Sequence, residues 1–402
     1  MKRIAIIFEN YGPYHIARLT AVAACMDLLG IEVYRNSKDY AWVPADQVPF
    51  RRKTLFNQRE PRLVNSREIS ARLSEIFNNW RPDALAIPGW GARESVIAAR
   101  VALKFRIPIV LMSDTQDRDF PRVWWKEWIK SQYVSLAGSA LVGGTPHREY
   151  LHKLGIPEGS IWDGYDVVDN VYFSKYSDEC RKYAGSLRKN YRLPKSYFLV
   201  SARFVEKKNL FRLIDAYGVY RRRCRVASHG RKGAWDLVIL GDGPLREKIE
   251  KHIESSGLYH HVQLAGFVQY PELPIYYGLA GCFILPSTTE QWGLVVNEAM
   301  ASGLPVLVSR HCGCAQDLVE EGINGFVFDP YDIGEMAVLM QRISSDREAL
   351  FRMGHKSREI IAQWSPQRFA RNLELAANKA CSVEPQKLTI VSRMLLWMMA
   401  CQ

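Results

Sequence analysis

Short apolar runs alternate with stretches of helical periodicity along the first half of this chain, and this alternation constrains the fold more than any other feature. Apolar residues recur at a spacing near 3.6 in the helical stretches, whereas the short runs are continuously apolar. Strands that alternate with helices in this way build a parallel, doubly wound sheet. The predicted strands are 4–8, 31–35, 83–87, 107–113 and 140–143, and the predicted helices are 15–29, 66–80, 93–105 and 147–155.

A second series of the same kind begins at residue 197. Its predicted strands are 198–202, 236–240, 262–265, 282–286 and 305–309. A chain of 402 residues is long enough for two domains, because single cores rarely grow beyond about 250 to 300 residues. We therefore predict an α/β fold of two doubly wound, Rossmann-like domains that face a central cleft, with ligands beyond the carboxyl ends of the strands.

The domain boundary is predicted in the stretch 174–195, which is polar and densely charged. This gives an N-terminal domain at 1–180 and a C-terminal domain at 181–365, with 366–402 as a terminal helix and tail. The segment 39–62 breaks the alternation with three prolines and several basic residues. It is interpreted as a long surface loop, and acceptor binding is one role for such a loop.

Two glutamates, Glu290 and Glu298, flank the point where a predicted strand passes through a short loop into a helix. A carboxylate accepts hydrogen bonds in a fork, which suits the vicinal diol of a ribose or a hexose. Gly293 and the first helical amides, those of Leu294 and Val295, lie between the two acids and favour an anion such as a diphosphate. The pattern indicates a nucleotide-sugar pocket, and the alternative is a loop acid and a solvated helix residue without a ligand.

Two cations follow the first strand of the second series. Arg203 directly succeeds that strand and Lys208 comes five residues later, so both can reach one loop. Negative charge develops on the diphosphate when it leaves a sugar, and fixed cations stabilise it. With two such cations we expect no metal and no other cofactor. Structural salt bridging of both residues is the alternative.

The segment 290–306 resembles the E-x7-E signature of the retaining glycosyltransferases of family 4, which have the GT-B fold. The resemblance continues through 313–319, 322–327 and 329–330, and upstream through 202–209, 240–244 and 265–267. It implies that Glu298 holds the donor ribose and Glu290 the transferred sugar, while Arg203 and Lys208 neutralise the diphosphate. It also implies that the N-terminal domain binds the acceptor and the C-terminal domain the donor. Gly241 and Gly243 would then lie beside the donor, and residues beyond 366 would cross back to the first domain.

Three residues of the first domain are candidates for phosphate, acceptor or sugar contact. Gly12 lies in the turn after the first strand, where a missing side chain lets a ligand approach the backbone, although the turn is shorter than the glycine-rich loop of many relatives. His15 either hydrogen-bonds the acceptor or caps the first helix. Asp114 stands near the position where many relatives carry a histidine that touches the donor sugar, and Gln116, Asp117 or Arg118 would serve equally well.

The formal net charge of +12 implies attraction to polyanions. No zinc-finger or RNA-binding aromatic signature accompanies it, so nucleic acid is not an expected partner. Two segments suggest contact with an anionic membrane surface instead. The first is the basic cluster 221–225 with 231–232, for which the alternative is a solvent-exposed face without a partner. The second is the apolar tail 388–400, for which the alternative is a helix packed on the protein body.

Eight cysteines show no repeating framework, and the chain enters a strand at once without a secretory signal. A reducing cytosol is the expected compartment, with peripheral contact at the inner face of the membrane. The run 311–314 contains His311, Cys312 and Cys314, but no second ligand pair stands at a spacing that would suit zinc.

The resemblance implies a retaining glycosyltransferase that moves a sugar from a nucleotide-diphosphate sugar to a glycan or lipid-linked acceptor in the assembly of a cell-surface polysaccharide or glycolipid. Front-side displacement would explain the absence of a clear catalytic base, and Glu290 then positions the sugar. The alternatives are a GT-B nucleotide-sugar epimerase or phosphorylase, and a catalytically silent binding protein.

Overall fold

Two parallel sheets form within the part of the chain that the structure describes, which is residues 2–35, 43, 45–57, 64–227, 233–383, 396 and 399. The structure is a computed structural model. It divides into two units, Met1–Val168 with Ser365–Gln402, and Asp169–Trp364. The predicted α/β fold of two doubly wound domains is confirmed for both sheets.

The first unit has a seven-stranded sheet. Its strands are β1 (Arg3–Phe8), β2 (Asp27–Tyr34), β3 (Arg51–Phe56), β4 (Ala84–Pro88), β5 (Ile109–Ser113), β6 (Ser139–Val142) and β7 (Ile161–Trp162). They pair in the order β3-β2-β1-β4-β5-β6-β7, and every pair is parallel. Helices cover the two faces, so the central strands are continuous buried runs. These helices are α1 (Pro13–Ala23), α2 (Ser66–Trp80), α3 (Arg93–Lys104), α4 (Trp124–Val134) and α5 (Thr145–Lys153).

Strand β3 is an edge strand of this sheet, so the prediction of an uninterrupted loop over 39–62 is wrong for residues 51–56. Its first four residues alternate between exposed and half-buried, and only Leu55 and Phe56 are buried. A strand with a neighbour on one side needs few apolar residues, so a basic run such as this one lacks the apolar pattern that indicates a strand. Residues 39–42, 44 and 58–62 of the predicted loop lie outside the described residues.

The second unit has a six-stranded parallel sheet. Its strands are β8 (Tyr197–Ser201), β9 (Asp236–Leu240), β10 (Val262–Gly266), β11 (Cys282–Leu285), β12 (Val306–Ser309) and β13 (Gly325–Phe328). They pair in the order β10-β9-β8-β11-β12-β13. The helices are α6 (Asn170–Lys182), α7 (Ala184–Asn190), α8 (Leu210–Ala227), α9 (Arg246–Ser255), α10 (Leu273–Leu279), α11 (Leu294–Ala301), α12 (Ala315–Leu318), α13 (Ile333–Ser345) and α14 (Arg347–Ile361).

The boundary between the units lies at Val168 and Asp169, earlier than the predicted position after residue 180. Asp169 caps α6 by accepting from the N–H of Tyr172 over 2.9 Å. Helix α6 then buries Phe173 and Ser177 as it packs on α10 and α11 of the second unit. Three of its five charged residues are exposed, so this helix has the composition of a linker although it is part of the fold.

The last described helix, α15 (Pro366–Ser382), packs on α1 and on strands β4 to β7 of the first unit. The hydroxyl of Ser139 donates to the carbonyl oxygen of Ala376 over 2.7 Å, and Arg368 pairs with Asp163 at 2.7 Å. A Cβ atom at Gly138 would lie 2.9 Å from the Cα of Ala380. The missing side chain therefore lets α15 approach the sheet closely.

Each of the two segments that suggest a membrane surface has at least one residue in contact with the rest of the protein. Leu396 of the predicted tail is buried in the first unit's core, which favours the packed alternative there, and residues 388–395 lie outside the described residues. The residues 221–225 lie within α8 rather than in a connection, and Arg221 pairs with Asp236 at 3.3 Å. Arg231 and Lys232 lie outside the described residues. Among the described helices, none combines the length and apolarity that crossing a bilayer requires.

Candidate functional site

The strand order of the second unit reverses between β8 and β11, so the loops that follow these strands meet at one edge of the sheet. Arg203 and Lys208 lie on the loop after β8, and Glu290 lies on the loop after β11. Adjacent loops of a single domain therefore carry the two predicted cations and the first predicted acid.

Lys208 and Glu290 form an ion pair at this edge. The Nζ atom of Lys208 donates to Oε2 of Glu290, and the hydroxyl of Ser287 donates to the same oxygen over 3.1 Å. The two paired side chains are only 13% and 14% exposed. Since both charges are largely shielded from water, their attraction exceeds that of a surface pair. The N–H of Thr288 also donates to the carbonyl oxygen of Lys207 over 2.8 Å, which joins the two loops.

A third loop, the one after β12, holds the backbone of Glu290. The N–H of Glu290 donates to the carbonyl oxygen of His311 over 3.3 Å, and the N–H of Gly313 donates to that of Glu290 over 3.0 Å. Nδ1 of His311 lies 2.9 Å from the carbonyl oxygen of Thr288, so this nitrogen carries the proton. These contacts fix the position of the Glu290 carboxylate before any ligand binds.

Gly293 lies directly before α11 with φ of 110°, a conformation that favours glycine. A Cβ atom there would lie 2.9 Å from Leu285 and 3.6 Å from Cγ of Glu290. Leu294 and Val295 open α11 and are half-buried, whereas the rest of the helix is buried. The opening amides of this helix therefore lie beside Glu290, where the helix dipole favours an anion.

Glu298 lies within α11 and is 1% exposed. The hydroxyl of Tyr277, on α10, donates to Oε2 of Glu298 over 2.6 Å. Burial and the Glu298 charge raise the pKa of Tyr277 well above its ordinary value, so the phenol stays protonated. Tyr277 also hydrogen-bonds Ser201, the last residue of β8. Tyr277 thus connects the second predicted acid to the strand that precedes Arg203.

Gly241 and Gly243 allow the loop after β9 to lie against the loop after β8. A Cβ atom at Gly241 would overlap the carbonyl oxygen of Ala202, and one at Gly243 would lie 2.8 Å from the backbone of Phe204. The N–H of Phe204 donates to the carbonyl oxygen of Asp242 over 2.9 Å. These glycines have φ of 123° and 157°. Their packing fixes the backbone on both sides of Arg203, whose side chain is exposed. This close packing explains why both positions are glycine. Contact of Gly241 and Gly243 with the donor stays a prediction.

The first unit has its own reversal of strand order, between β1 and β4, and a cavity of about 250 Å³ lies there. The polar residues that line it come from the turn after β1, from α1, from the start of α3 and from the loop after β7. They are Glu9, Asn10, His15, Glu94, Ser95 and Tyr165.

His15 caps α1, as one of its two predicted roles required. The N–H of Gly12 donates to Nδ1 of His15 over 3.1 Å, and the imidazole packs on Phe8 with ring centroids 4.4 Å apart. Burial, together with the positive charge of Arg18, lowers the pKa of His15 to about 3. The ring is therefore neutral at physiological pH. Because His15 also lines the cavity, contact with the acceptor stays a prediction.

Asp114 follows β5 and is half-buried near two other acids. Burial, and then the charge of Asp114, raise the pKa of Asp166 well above its ordinary value, against the opposing charge of Arg18. Gln116, Asp117 and Arg118 are the other candidates for contact with the donor sugar. Asp117 pairs with Lys153 at 2.8 Å, and the backbone N–H of Gln116 donates to Asp119. Arg118 is exposed.

Sequence reasoning missed Tyr277 and Ser287, which contact the two glutamates directly. Ser287 stands three residues before Glu290, so its proximity could have been noticed. Tyr277 lies 21 positions before Glu298 and meets it only because α10 packs near α11. No local pattern marks such a residue.

Cys312 and Cys314 are buried beside the Glu290 loop, and their thiols are free. Burial, and the neighbouring Glu290 charge, raise the pKa of the Cys312 thiol well above its ordinary value. A protonated thiol is a poor metal ligand. In the described parts of the chain, no three histidine, cysteine or acidic side chains come together as a metal-binding group.

Residues 187–360 match the family model described as "Glycosyl transferases group 1". The chain is 33% identical over 187 residues to a Mycobacterium tuberculosis GDP-mannose-dependent alpha-(1-6)-phosphatidylinositol monomannoside mannosyltransferase, which covers 44% of this chain and 46% of that protein. It therefore spans about half the length of such curated relatives. An alpha-monoglucosyldiacylglycerol synthase of Acholeplasma laidlawii is 24% identical over 363 residues, covering 81% of this chain and 85% of that enzyme.

The fold is similar to that of solved GT-B structures. The Anabaena protein Alr3699/HepE, crystallised with UDP and glucose, superposes with a TM-score of 0.68 at 16% identity and covers 93% of this chain and 99% of its own. WaaG, a glycosyltransferase involved in lipopolysaccharide biosynthesis, gives a TM-score of 0.65 at 15% identity and covers 93% and 98%. At these identities the likeness concerns the fold alone.

Proposed function

The chain belongs to the group 1 glycosyltransferases through residues 187–360 and has the GT-B fold, and from this premise we propose that it transfers a sugar from a nucleotide-diphosphate sugar to a glycan or glycolipid acceptor. The observation that carries the proposal is the buried Lys208–Glu290 pair beside the first amides of α11. Cation, carboxylate and amides lie together where a sugar and its diphosphate need complementary partners.

In the proposed reaction, the bond between the anomeric carbon and the diphosphate oxygen breaks while the acceptor oxygen forms a new bond to that carbon. Lys208, Arg203 and the α11 amides stabilise the negative charge on the departing diphosphate. The Glu290 carboxylate accepts hydrogen bonds from sugar hydroxyls and so positions the reacting carbon. Glu298, held by Tyr277, is the proposed partner of the ribose.

The proposal includes retention of the anomeric configuration. In a front-side displacement the departing phosphate oxygen takes the proton of the acceptor hydroxyl, so no side chain has to act as the base. Determination of the anomeric configuration of the product by NMR, with a donor of known configuration, tests this part. An inverted product would contradict it without affecting the assignment of donor residues.

The proposal also includes transfer without a divalent metal, since two cations and a helix N-terminus are the proposed partners of the diphosphate. Addition of EDTA to the purified enzyme should leave the transfer rate unchanged. A loss of rate that Mg²⁺ or Mn²⁺ restores would contradict this part of the proposal.

The mycobacterial relative is named for GDP-mannose and the Anabaena structure contains UDP, so the donor base has two leading candidates. The mycobacterial relative is named for a phosphatidylinositol mannoside, and the Acholeplasma enzyme is named for the monoglucosyldiacylglycerol that it synthesises. For this chain we propose a lipid-linked or glycan acceptor that is reached from the cytoplasmic side of a membrane.

Incubation with a panel of UDP-, GDP- and ADP-sugars tests the proposed function. Release of a nucleoside diphosphate with transfer or slow hydrolysis supports it, whereas epimerised sugar or binding without turnover would assign one of the other two functions. Glu290→Gln should abolish release, and Glu250→Gln on the surface of α9, where the acid pairs with Arg246, is the matched control.

A further inference from the structure

Large aromatic side chains are exposed together between β5 and the first turns of α4, in the first unit. Phe120 is 71% exposed and Trp124 is 81% exposed, and Trp125 and Trp128 are each nearly half exposed. We call these four residues the aromatic surface. Tryptophan is seldom left in water in this way, and clusters of exposed apolar side chains mark interaction sites.

The aromatic surface belongs to an anchored helix. Tyr133 and Val134 bury the last turn of α4 in the first unit's core, whereas the opening half of the helix faces outward. Trp124 and Trp128 are four residues apart and share one face of α4. Trp125 is on the adjoining face, with the Lys126 ammonium 5.4 Å from its ring centroid.

The loop before α4 is held in place by Arg122. Its Nε atom donates to the carbonyl oxygen of Asp117 over 2.7 Å, and its guanidinium lies 4.4 Å from the ring centroid of Tyr150. The N–H of Gln116 donates to the carboxylate of Asp119 over 2.9 Å. Phe120 is therefore presented from a loop of defined geometry, so that little ordering is required when a partner binds.

The charges around the aromatic surface are positive on balance. Glu127, the acid of α4, pairs with Lys130 at 2.7 Å and accepts from the Tyr150 hydroxyl over 2.7 Å. Two exposed cations, Arg118 and Lys126, flank the aromatic side chains, and neither forms an ion pair within the described part of the chain. Aromatic rings and unpaired cations thus face the same solvent.

We propose that the aromatic surface is the site where this protein docks on an anionic phospholipid bilayer. Tryptophan rings are favoured at the level of the lipid headgroups, and basic side chains beside them attract anionic lipids. A second copy of the chain fits less well, because a twofold contact would bring the same cations of both copies together. The inference does not depend on the proposed sugar transfer.

Cosedimentation of the full chain with vesicles tests the proposal. Wild-type protein should bind vesicles of phosphatidylcholine with phosphatidylglycerol, and the variant Phe120→Ser/Trp124→Ser/Trp128→Ser should bind them at least about tenfold more weakly. Tyr259→Ser/Phe351→Ser is the control, since these aromatic side chains are 66% and 79% exposed in the second unit. Its binding should equal that of the wild type.

A second variant separates charge from apolar contact. Arg118→Ser/Lys126→Ser should reduce binding to the anionic vesicles by about tenfold and should leave binding to pure phosphatidylcholine unchanged. Full vesicle binding by the triple aromatic variant would overturn the proposal. Wild-type dimers that the triple variant dissociates, without vesicle binding, would also overturn it and would assign the surface to self-association.

Discussion

The ammonium of Lys208 donates to the carboxylate of Glu290, although the two residues are 82 positions apart in the chain. The contact spans the loops after β8 and β11, where the strand order of the second unit reverses. A ligand whose charge is complementary to either partner would rearrange this pair.

Lys208→Ala removes the cation and leaves the Glu290 carboxylate largely buried without it. We expect the rate of sugar transfer to fall by about 10²–10³, because a fixed charge next to a developing anion contributes on that scale. Steady-state kinetics with the best donor measure this. Lys207→Ala, a control one residue away on the same loop, should retain the rate, since the Lys207 side chain is exposed. An equal loss in both variants would contradict a specific role for Lys208.

Tyr277→Phe deletes the hydroxyl that donates to the buried Glu298. The second unit should lose about 1–3 kcal/mol in free energy of unfolding, and the affinity for nucleoside diphosphate should fall because Glu298 is no longer held. Denaturant unfolding and calorimetric titration measure the two effects. Tyr220→Phe is the control, because that hydroxyl contacts Ser344 and the backbone of Trp235. It should reduce stability and leave nucleotide affinity unchanged, and equal affinity losses would refute the link.

Gly241→Ala places a Cβ atom against the carbonyl oxygen of Ala202, at a residue with φ of 123°. The free energy of unfolding should fall by roughly 2–4 kcal/mol, the range of severe backbone and packing defects. Gly185→Ala within α7 meets no atom within 4 Å, and it should instead add about 0.5–1 kcal/mol. Thermal unfolding compares them. A neutral Gly241→Ala would contradict the packing explanation.

His15 should make the first unit less stable in mild acid. Its pKa in the folded protein is about 3, against 6.5 for the unconstrained residue. Below about pH 6.5 the unfolded chain therefore binds a proton that the folded chain does not, and stability falls as the pH falls towards 3. At about pH 5 the loss approaches 2 kcal/mol. Unfolding of wild type and His15→Asn at about pH 7.5 and pH 5 tests this, and a parallel pH dependence in the two proteins would contradict it.

The alternation of apolar runs and helical stretches predicts both parallel sheets apart from the strands β3, β7 and β13. Continuous apolar strands such as β1 and β8 are visible in sequence because helices bury both of their faces. Strand β3 was not visible, since an edge strand with residues such as Arg51 and Lys53 has no such pattern. The predicted boundary between the two domains lies too late in the chain for a related reason. Helix α6 has a charged, solvent-exposed face and buries only Phe173 and Ser177, so its sequence resembles that of a linker.

Some residues of the candidate site could likewise be predicted from the sequence, and others could not. Strand ends and a short spacing indicated Arg203, Lys208, Glu290 and Glu298, because loops that follow neighbouring parallel strands meet at one edge. The contact with Tyr277 depends on how α10 and α11 pack, and the reason for Gly241 depends on how two loops approach each other. Both are tertiary properties that no local pattern contains.

The measurement that tests the central claim most directly is the rate of donor turnover by Glu290→Ala at saturating nucleotide sugar. The proposed role in positioning the sugar requires this rate to fall by at least about a hundredfold, while the affinity for the free nucleoside diphosphate changes little. A Glu290→Ala enzyme that turns over donor at the wild-type rate would contradict the assignment of this site.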